Sequence, residues 1–343
     1  MLFLPVSGAF GRGEYARSLS IAQAAKLKWP EALIHFALSR QAPYAASSPF
    51  PATLLESSPT FHTAAVSELI AKFRPHIVIF DNAGRTAQLR AASAVGARIV
   101  YISARSRQRR KAFRFTWMRL IDEHWIAYPE FIAGALSRFE QFKLNWLQRP
   151  TVRYLDVILA RTAPTQESIM RRSDLKPASF VLIVPGGGTN HPRAAAANET
   201  FLAAANTLSE RGHLAVFVGP ATLANSQLRR FESLPQSELA ELMSNARLIV
   251  TNGGSTLLQA IACGGACIAA PIAKDQPDRI QHCVEAAVAI ASALDASSLV
   301  HAAEQLLIDE AARQGLARRA ANLKLADGID IALAALIPMI EAG

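Results

Sequence analysis

The stretch Thr251-Asn252-Gly253-Gly254-Ser255-Thr256 carries more chemistry than any other in this sequence. It follows the apolar run Ala246-Arg247-Leu248-Ile249-Val250 and leads into residues at helical spacing. Glycine lets a backbone approach a ligand closely. A helix starting at Ser255 would turn free N–H groups and the positive end of its dipole toward that corner, which suits a diphosphate. The same Gly-Gly-Ser-Thr is also a good helix cap, a purely structural use. A second glycine turn, Pro185-Gly186-Gly187-Gly188-Thr189-Asn190-His191, follows the run Phe180–Val184. A third, Gly8-Ala9-Phe10-Gly11-Arg12-Gly13-Glu14, has only part of the dinucleotide fingerprint, and no acidic residue ends a clear second strand. Phe80-Asp81-Asn82 ends another apolar run, where binding groups commonly sit, and makes Asp81 a candidate base.

Those turns need strands before them and helices after them, and the sequence supplies both. Leu2–Val6, His76–Phe80, Arg98–Ile102 and Glu123–Ala127 read as strands of a first half. Phe180–Val184, Leu214–Val218, Ala246–Val250 and Ala266–Ala270 read as strands of a second. Continuous rather than alternating apolar runs suit parallel sheets covered on both faces. Helices are expected over about 14–25, 194–211, 238–244, from Ser255 onward, and over 328–341. The Ser/Pro/Ala-rich segment 42–60 predicts a loop. Prolines and charges cluster between Pro150 and Pro177, which predicts a boundary. The expected organisation is an α/β chain with domains at 1–160 and 161–327, and a C-terminal helix at 328–343 that can cross back to the first. Two doubly wound domains that face each other would share an interdomain cleft at the carboxyl ends of their strands.

The bulk numbers fit. The 343 residues are 51% hydrophobic and 18% charged, enough for two cores and against disorder. No apolar run reaches membrane-span length and Met1–Val6 lacks signal-peptide features, so a cytoplasmic protein is expected. Cys263, Cys267 and Cys283 have neither disulfide-framework nor zinc-knuckle spacing. The net charge of +9 favours an anionic partner.

From Ala246 to Cys283 the sequence resembles the donor-binding half of family 28 glycosyltransferases, such as the enzyme that adds N-acetylglucosamine to lipid I. It also resembles the related nucleotide-sugar hydrolase of pseudaminic acid synthesis. The shared pattern is Asn252-Gly253-Gly254-Ser255-Thr256, then Pro271, then Asp278-Arg279-Ile280-Gln281. The resemblance implies the GT-B fold, two facing Rossmann-like domains with parallel sheets. It implies that Asn252, Gly253, Gly254, Ser255 and Thr256 cradle the donor diphosphate, that Asp278 and Gln281 meet sugar hydroxyls, and that Gly187, Gly188, Thr189 and Asn190 lie beside the phosphates. Gln259 stands where the family has a ribose-binding Glu. The loop Gly8, Gly11, Arg12, Gly13 is then the acceptor side. Glu14 takes the place of the family's candidate base, a His; a glutamate can do that work if burial raises its pKa.

Arg107, Arg110, Lys111 and Arg114 would share one face of a helix, with Phe113, Trp117, Leu120 and Ile121 on another. A basic amphipathic helix of that kind suits an anionic membrane surface or a lipid-linked phosphate. No recognised module favours nucleic acid. The leading expectation is therefore a glycosyltransferase acting on a nucleotide-sugar co-substrate, UDP-linked by resemblance, with a glycan or lipid-linked acceptor of the cell envelope. It would work at the inner face of the membrane. No Asp-x-Asp pair ends a strand, so the transfer is expected to need no metal, and no cofactor is implied. A nucleotide-sugar hydrolase and a non-catalytic binding subunit are the alternatives.

Overall fold

The computed structural model describes residues 1–9, 13–159, 168–186, 194–220 and 228–341. The chain divides into two compact units, one of Met1–Ile158 together with the stretch from Ala326 onward, the other of Leu159–Leu325.

Unit 1 opens with β1 (Leu2–Pro5), α1 (Gly13–Lys28), β2 (His35–Ser39), β3 (Ala52–Leu55), a 3-10 turn at Pro59–Phe61 and α2 (Thr63–Phe73). It continues through β4 (Ile77–Asp81), α3 (Thr86–Ala94), β5 (Arg98–Ser103), α4 (Ser106–Ala112) and α5 (Phe115–Met118). Then come β6 (Glu123–Ile126), α6 (Glu130–Ala133), α7 (Arg138–Leu147) and β7 (Thr151–Tyr154). All neighbouring strands pair in parallel, in the order β3-β2-β1-β4-β5-β6-β7. Successive side chains alternate between faces. Phe3, Ile79, Val100 and Trp125 therefore pack on one side with α1. Leu2, Leu4, Val78, Phe80 and Tyr101 pack on the other. Chain order reverses direction between β1 and β4, so the loops after those strands part and leave a crevice.

Unit 2 repeats the scheme. Its elements are α8 (Ile169–Arg172), β8 (Val181–Val184), α9 (Ala194–Glu210), β9 (Ala215–Val218), β10 (Arg229–Phe231), α10 (Gln236–Asn245) and β11 (Leu248–Asn252). α11 (Ser255–Ala262), β12 (Cys267–Ala270), α12 (Gln276–Glu285), β13 (Ala289–Ala291), α13 (Ala296–Ile308) and α14 (Glu310–Asn322) follow. The parallel sheet runs β10-β9-β8-β11-β12-β13, with its switch point between β8 and β11.

The last helix, α15 (Gly328–Glu341), belongs to unit 1: Ala332, Ala335 and Leu336 share a core with Ile21, Ala22 and Ala25 of α1. Its entry is tight. Gly328 N–H donates to Val157 O at 2.8 Å, and a Cβ at Gly328 would overlap the Leu155 carbonyl.

Two sequence-level expectations are corrected. Segment 42–60 is not all loop, since β3 and the 3-10 turn lie within it. β3 is an edge strand that pairs only with β2, and of its residues only Leu55 is buried, so it leaves little apolar signal. Nor do residues 105–121 form one amphipathic helix. α4 stops at Ala112, Arg114 is extended (φ −77°, ψ 135°), and α5 is a single turn. Phe113, Trp117 and Ile121, the apolar face of the supposed helix, are buried in unit 1.

Candidate functional site

In unit 2 the ends of β8 and β11 are stitched together at the switch point. Thr251 Oγ1 donates to Val184 O at 2.8 Å, and Asn252 Nδ2 donates to Pro185 O. Asn252 Oδ1 accepts the Gly254 N–H at 2.6 Å. Asn252 thus uses both ends of its amide to shape the corner. Gly186 has φ 86°, in the left-handed region, and a Cβ there would run into the Asn252 side chain. Gly253 is just as constrained, because its Cβ would lie 2.6 Å from Ile280 Cγ1 and 2.9 Å from Gln276 Cβ.

Gly253 is therefore roofed by α12. Of the expected cradle, the Gly254 amide is already engaged by Asn252. The surface that remains begins at half-buried Gly254 and exposed Ser255, where the N-cap of α11 is a glycine with no side chain to cap it. Its first-turn N–H groups, with the positive end of the helix dipole, meet the requirement for an anion site. Thr256 is buried against Gly186, and Gln259, one turn after Ser255, is half-buried. Buried Arg279 stands behind the corner. Its Nη1 donates to Gly253 O at 2.6 Å and its Nη2 to Asp275 Oδ2 at 3.0 Å.

Asp278 and Gln281 are not on the face of α12 that roofs this corner. Both are exposed on α12, and Gln281 Nε2 donates to Glu285 Oε1 at 3.0 Å. The buried face of α12 is Gln276, Arg279, Ile280 and Cys283. Gln276 anchors the roof, with its Oε1 accepting Ile272 N–H at 2.8 Å. The residues missed by the sequence pattern are thus Gln276 and Arg279. The signal that could have found them is their three- and four-residue spacing with Ile280 and Cys283, which marks one helical face.

In unit 1, β4 ends at Asp81, fully buried. Arg17 Nε and Nη2 donate to its two oxygens at 2.9 and 2.6 Å, and Ser18 Oγ adds a third bond at 3.2 Å. Burial pushes the Asp81 carboxyl up to about 6, against the pull of Arg17. Burial also works against charge on Arg17, but the attraction of Asp81 outweighs it and the guanidinium stays cationic. This pair ties α1 to the end of β4. Asp81 is an anchor here and not an available base, which corrects the sequence expectation.

Asn82 follows in the left-handed region, φ 53°, which Asn tolerates better than most residues. Its Oδ1 accepts Ala104 N–H at 2.8 Å, so the amide must turn its Nδ2 outward, and it donates to Glu14 Oε1 at 3.0 Å. Arg105 Nη2 stands 3.5 Å from the same oxygen. Glu14 lies in the first turn of α1, where the dipole favours a carboxylate. Among the described residues nothing hydrogen-bonds its Oε2. Among the described residues, a Cβ at Gly8 or Gly13 would meet nothing within 4 Å. Gly11, Arg12, Gly187, Gly188, Thr189 and Asn190 lie outside the described residues.

The basic block divides. Arg107, Arg110 and Arg114 are exposed. Lys111 is not a surface contact: its Nζ donates to Gly84 O at 2.7 Å and sits 4.2 Å over the Trp117 ring. Burial, helped by Arg85, Arg114 and Arg107, lowers its pKa to about 8. Trp117 Nε1 donates to Thr86 Oγ1 at 3.0 Å, which holds the ring in the core. The membrane role expected of Lys111 and Trp117 is corrected accordingly.

No protein-family model and no curated protein matches the chain. Solved structures do. The glycosyltransferase VinC, in complex with dTDP, is similar with a TM-score of 0.68 at 14% identity, over 100% of each chain. Spinosyn rhamnosyltransferase SpnG complexed with spinosyn aglycone gives 0.66 at 15% identity, over 99% of each chain. A Listeria monocytogenes protein provisionally described as a UDP-N-acetylglucosamine 2-epimerase gives 0.60 at 14% identity, over 100% of this chain and 97% of that one. These likenesses show the fold, the two Rossmann-like α/β units of GT-B glycosyltransferases.

Proposed function

We propose that the chain is a glycosyltransferase that moves a sugar from a nucleoside-diphosphate donor to an acceptor hydroxyl. Unit 2 holds the donor diphosphate at the start of α11, and Glu14 of unit 1 is the base. The observation that carries the reading is the contrast between the two switch points. One offers a helix start whose N-cap is glycine, backed by Arg279, and the other a carboxylate held by Asn82. VinC in complex with dTDP and SpnG complexed with an aglycone support a nucleoside-diphosphate donor and a hydroxyl-bearing acceptor as the kinds of ligand.

Glu14 Oε2 takes the acceptor proton as the acceptor oxygen attacks the anomeric carbon. The bond from that carbon to the diphosphate oxygen breaks, and the leaving diphosphate carries off the electron pair. The N–H groups of α11, with the charge of Arg279 behind them, stabilise it. This positive field stands in for a divalent cation, so a chelator is expected to leave turnover intact. With water in place of the acceptor the same machinery hydrolyses the donor.

The test uses a panel of UDP-, dTDP- and GDP-sugars, each with hydroxyl acceptors, lipid-linked ones among them, and each without. Glu14→Gln is expected to cut kcat by about 10²–10⁴-fold while donor Kd stays unchanged. Full turnover by that variant would remove Glu14 from the role. Sugar release at full rate without acceptor would make the chain a hydrolase. Donor binding by the wild type without any turnover would make it a binding subunit.

A further inference from the structure

α7 reverses the usual patterning of a surface helix. None of its residues is buried. Phe139, Phe142 and Trp146, spaced by three and four, lie on one face, and their exposures are 62%, 58% and 63%. Phe115 of α5 extends the stripe, edge-on to Trp146 with ring centroids 5.3 Å apart. Lys143 lies over the rings of Phe115 and Phe139, at 5.1 and 4.3 Å.

This face is held outward and not left loose. Ser137 and Glu140 form a capping box at the start of α7. Arg109 donates to both Glu140 oxygens, at 3.1 and 2.9 Å, and to the carbonyls of Ala133, Gly134 and Ala135. Lys143 Nζ donates to Phe113 O at 2.9 Å. Contiguous exposed rings on a fixed helix mark an interaction surface.

The charge around the rings selects the partner. Arg114 directly precedes Phe115, Arg138 opens α7, and Arg107 and Arg110 stand on α4, all exposed. The one carboxylate of α7, Glu140, is occupied by Arg109. We propose that the α5–α7 face of unit 1 docks on an anionic lipid bilayer surface. The rings of Phe115, Phe139, Phe142 and Trp146 enter the headgroup boundary, and the arginines meet lipid phosphates. No described helix is long and apolar enough to cross a membrane, so the docking is peripheral. This assignment does not depend on the role of Glu14.

The experiment is cosedimentation of the full chain with phosphatidylcholine vesicles, with and without about one third phosphatidylglycerol, at low and high salt. Wild type is expected to partition at least about tenfold better onto the anionic vesicles, and less well at high salt. Combined Phe139→Ser, Phe142→Ser and Trp146→Ser substitutions are expected to cut partitioning about tenfold. As these side chains are exposed, circular dichroism should be unchanged. On wild type alone, brominated lipid should quench Trp146 fluorescence. Wild type left in the supernatant, or equal partitioning of both forms, would overturn the proposal. So would a wild-type dimer that the same substitutions dissociate without any lipid binding, since the face would then belong to a second copy.

Discussion

The two switch points are built on the same strand order, yet they are held by opposite chemistry. In unit 1 the end of β4 is an ion pair, Asp81 with Arg17, and the amide of the next residue, Asn82, holds the carboxylate of Glu14. In unit 2 the end of β11 itself is neutral, since Thr251 and Asn252 bond to carbonyls, and the ion pair behind it turns its cation, Arg279, toward Gly253 O, with Asp275 on the far side of the guanidinium. A crevice that must receive an anion gains by keeping carboxylates out, and one that must take up a proton needs one. The shared fold supplies two equivalent positions, and the residue at each strand end decides what it can bind. An Asn occupies the same relative place in both, reaching from the fourth strand in the chain order of each sheet toward the first loop.

The sharpest way to break this comparison is to remove the charge that holds one side. Arg17→Met leaves Asp81 buried without its partner and is expected to cost about 3–5 kcal/mol in a denaturant titration. Replacing both residues, Arg17→Met with Asp81→Leu, should recover most of that loss. Thr251→Val, the counterpart in unit 2, loses one neutral hydrogen bond and should cost only about 1 kcal/mol. Similar costs for Arg17→Met and Thr251→Val would show that the two anchors are not different in kind.

A smaller effect tests the neutral side. Asn252→Asp puts a carboxylate where the donor diphosphate is proposed to bind, and it cannot donate to Pro185 O. Its expected consequence is donor affinity weaker by about ten- to a hundredfold in calorimetry, which is about 1.4–2.7 kcal/mol. Unchanged affinity would place the diphosphate elsewhere. Glu14→Gln serves as the opposite control, since it removes a carboxylate from the other crevice and should not touch donor affinity.

Much of this contrast is legible in the amino-acid sequence. The central strands announce themselves by continuous apolar runs, and the glycine turns at Gly8, Gly186 and Gly253 fall at strand ends because only a sharp turn lets the next helix pack back. The α/β reading with two parallel sheets follows from that. What escapes is whatever a tertiary partner decides. Asp81 looks like a base until Arg17, 64 residues away, is seen to hold it. Within the motif Asp278–Gln281 the helical phase matters: Gln276 and Arg279 take the buried face, and Asp278 and Gln281 stay exposed. Residues 105–121 have amphipathic spacing, but the core takes Trp117 and breaks the helix at Arg114. The exposed rings of α7 escape as well, because periodicity locates a face without saying what covers it.

The smallest net effect concerns acid, because two buried groups respond to it in opposite senses. His124 on β6 is fully buried; its Nε2 shares a hydrogen bond with Ser103 Oγ at 2.8 Å, while Nδ1 has no partner among the described residues. Burial, with Arg109 nearby, lowers its pKa from 6.5 to about 3. Between those two values the unfolded chain binds a proton that the folded chain refuses, so stability falls as pH drops through this window, by up to about 1.4 kcal/mol per pH unit. Asp81 acts in the opposite sense. Its carboxyl, raised from 3.8 to about 6, is protonated more readily in the folded chain, so between those values it adds stability as pH falls. Where the two windows overlap the slopes oppose each other, so wild type follows their resultant. In urea titrations from pH 6.5 to pH 4, wild type is therefore expected to fare worse than a variant without the imidazole. His124→Gln removes one slope and leaves the other, so its stability over the same range should hold or rise. An identical acid slope in both proteins would mean that His124 is protonated without unfolding.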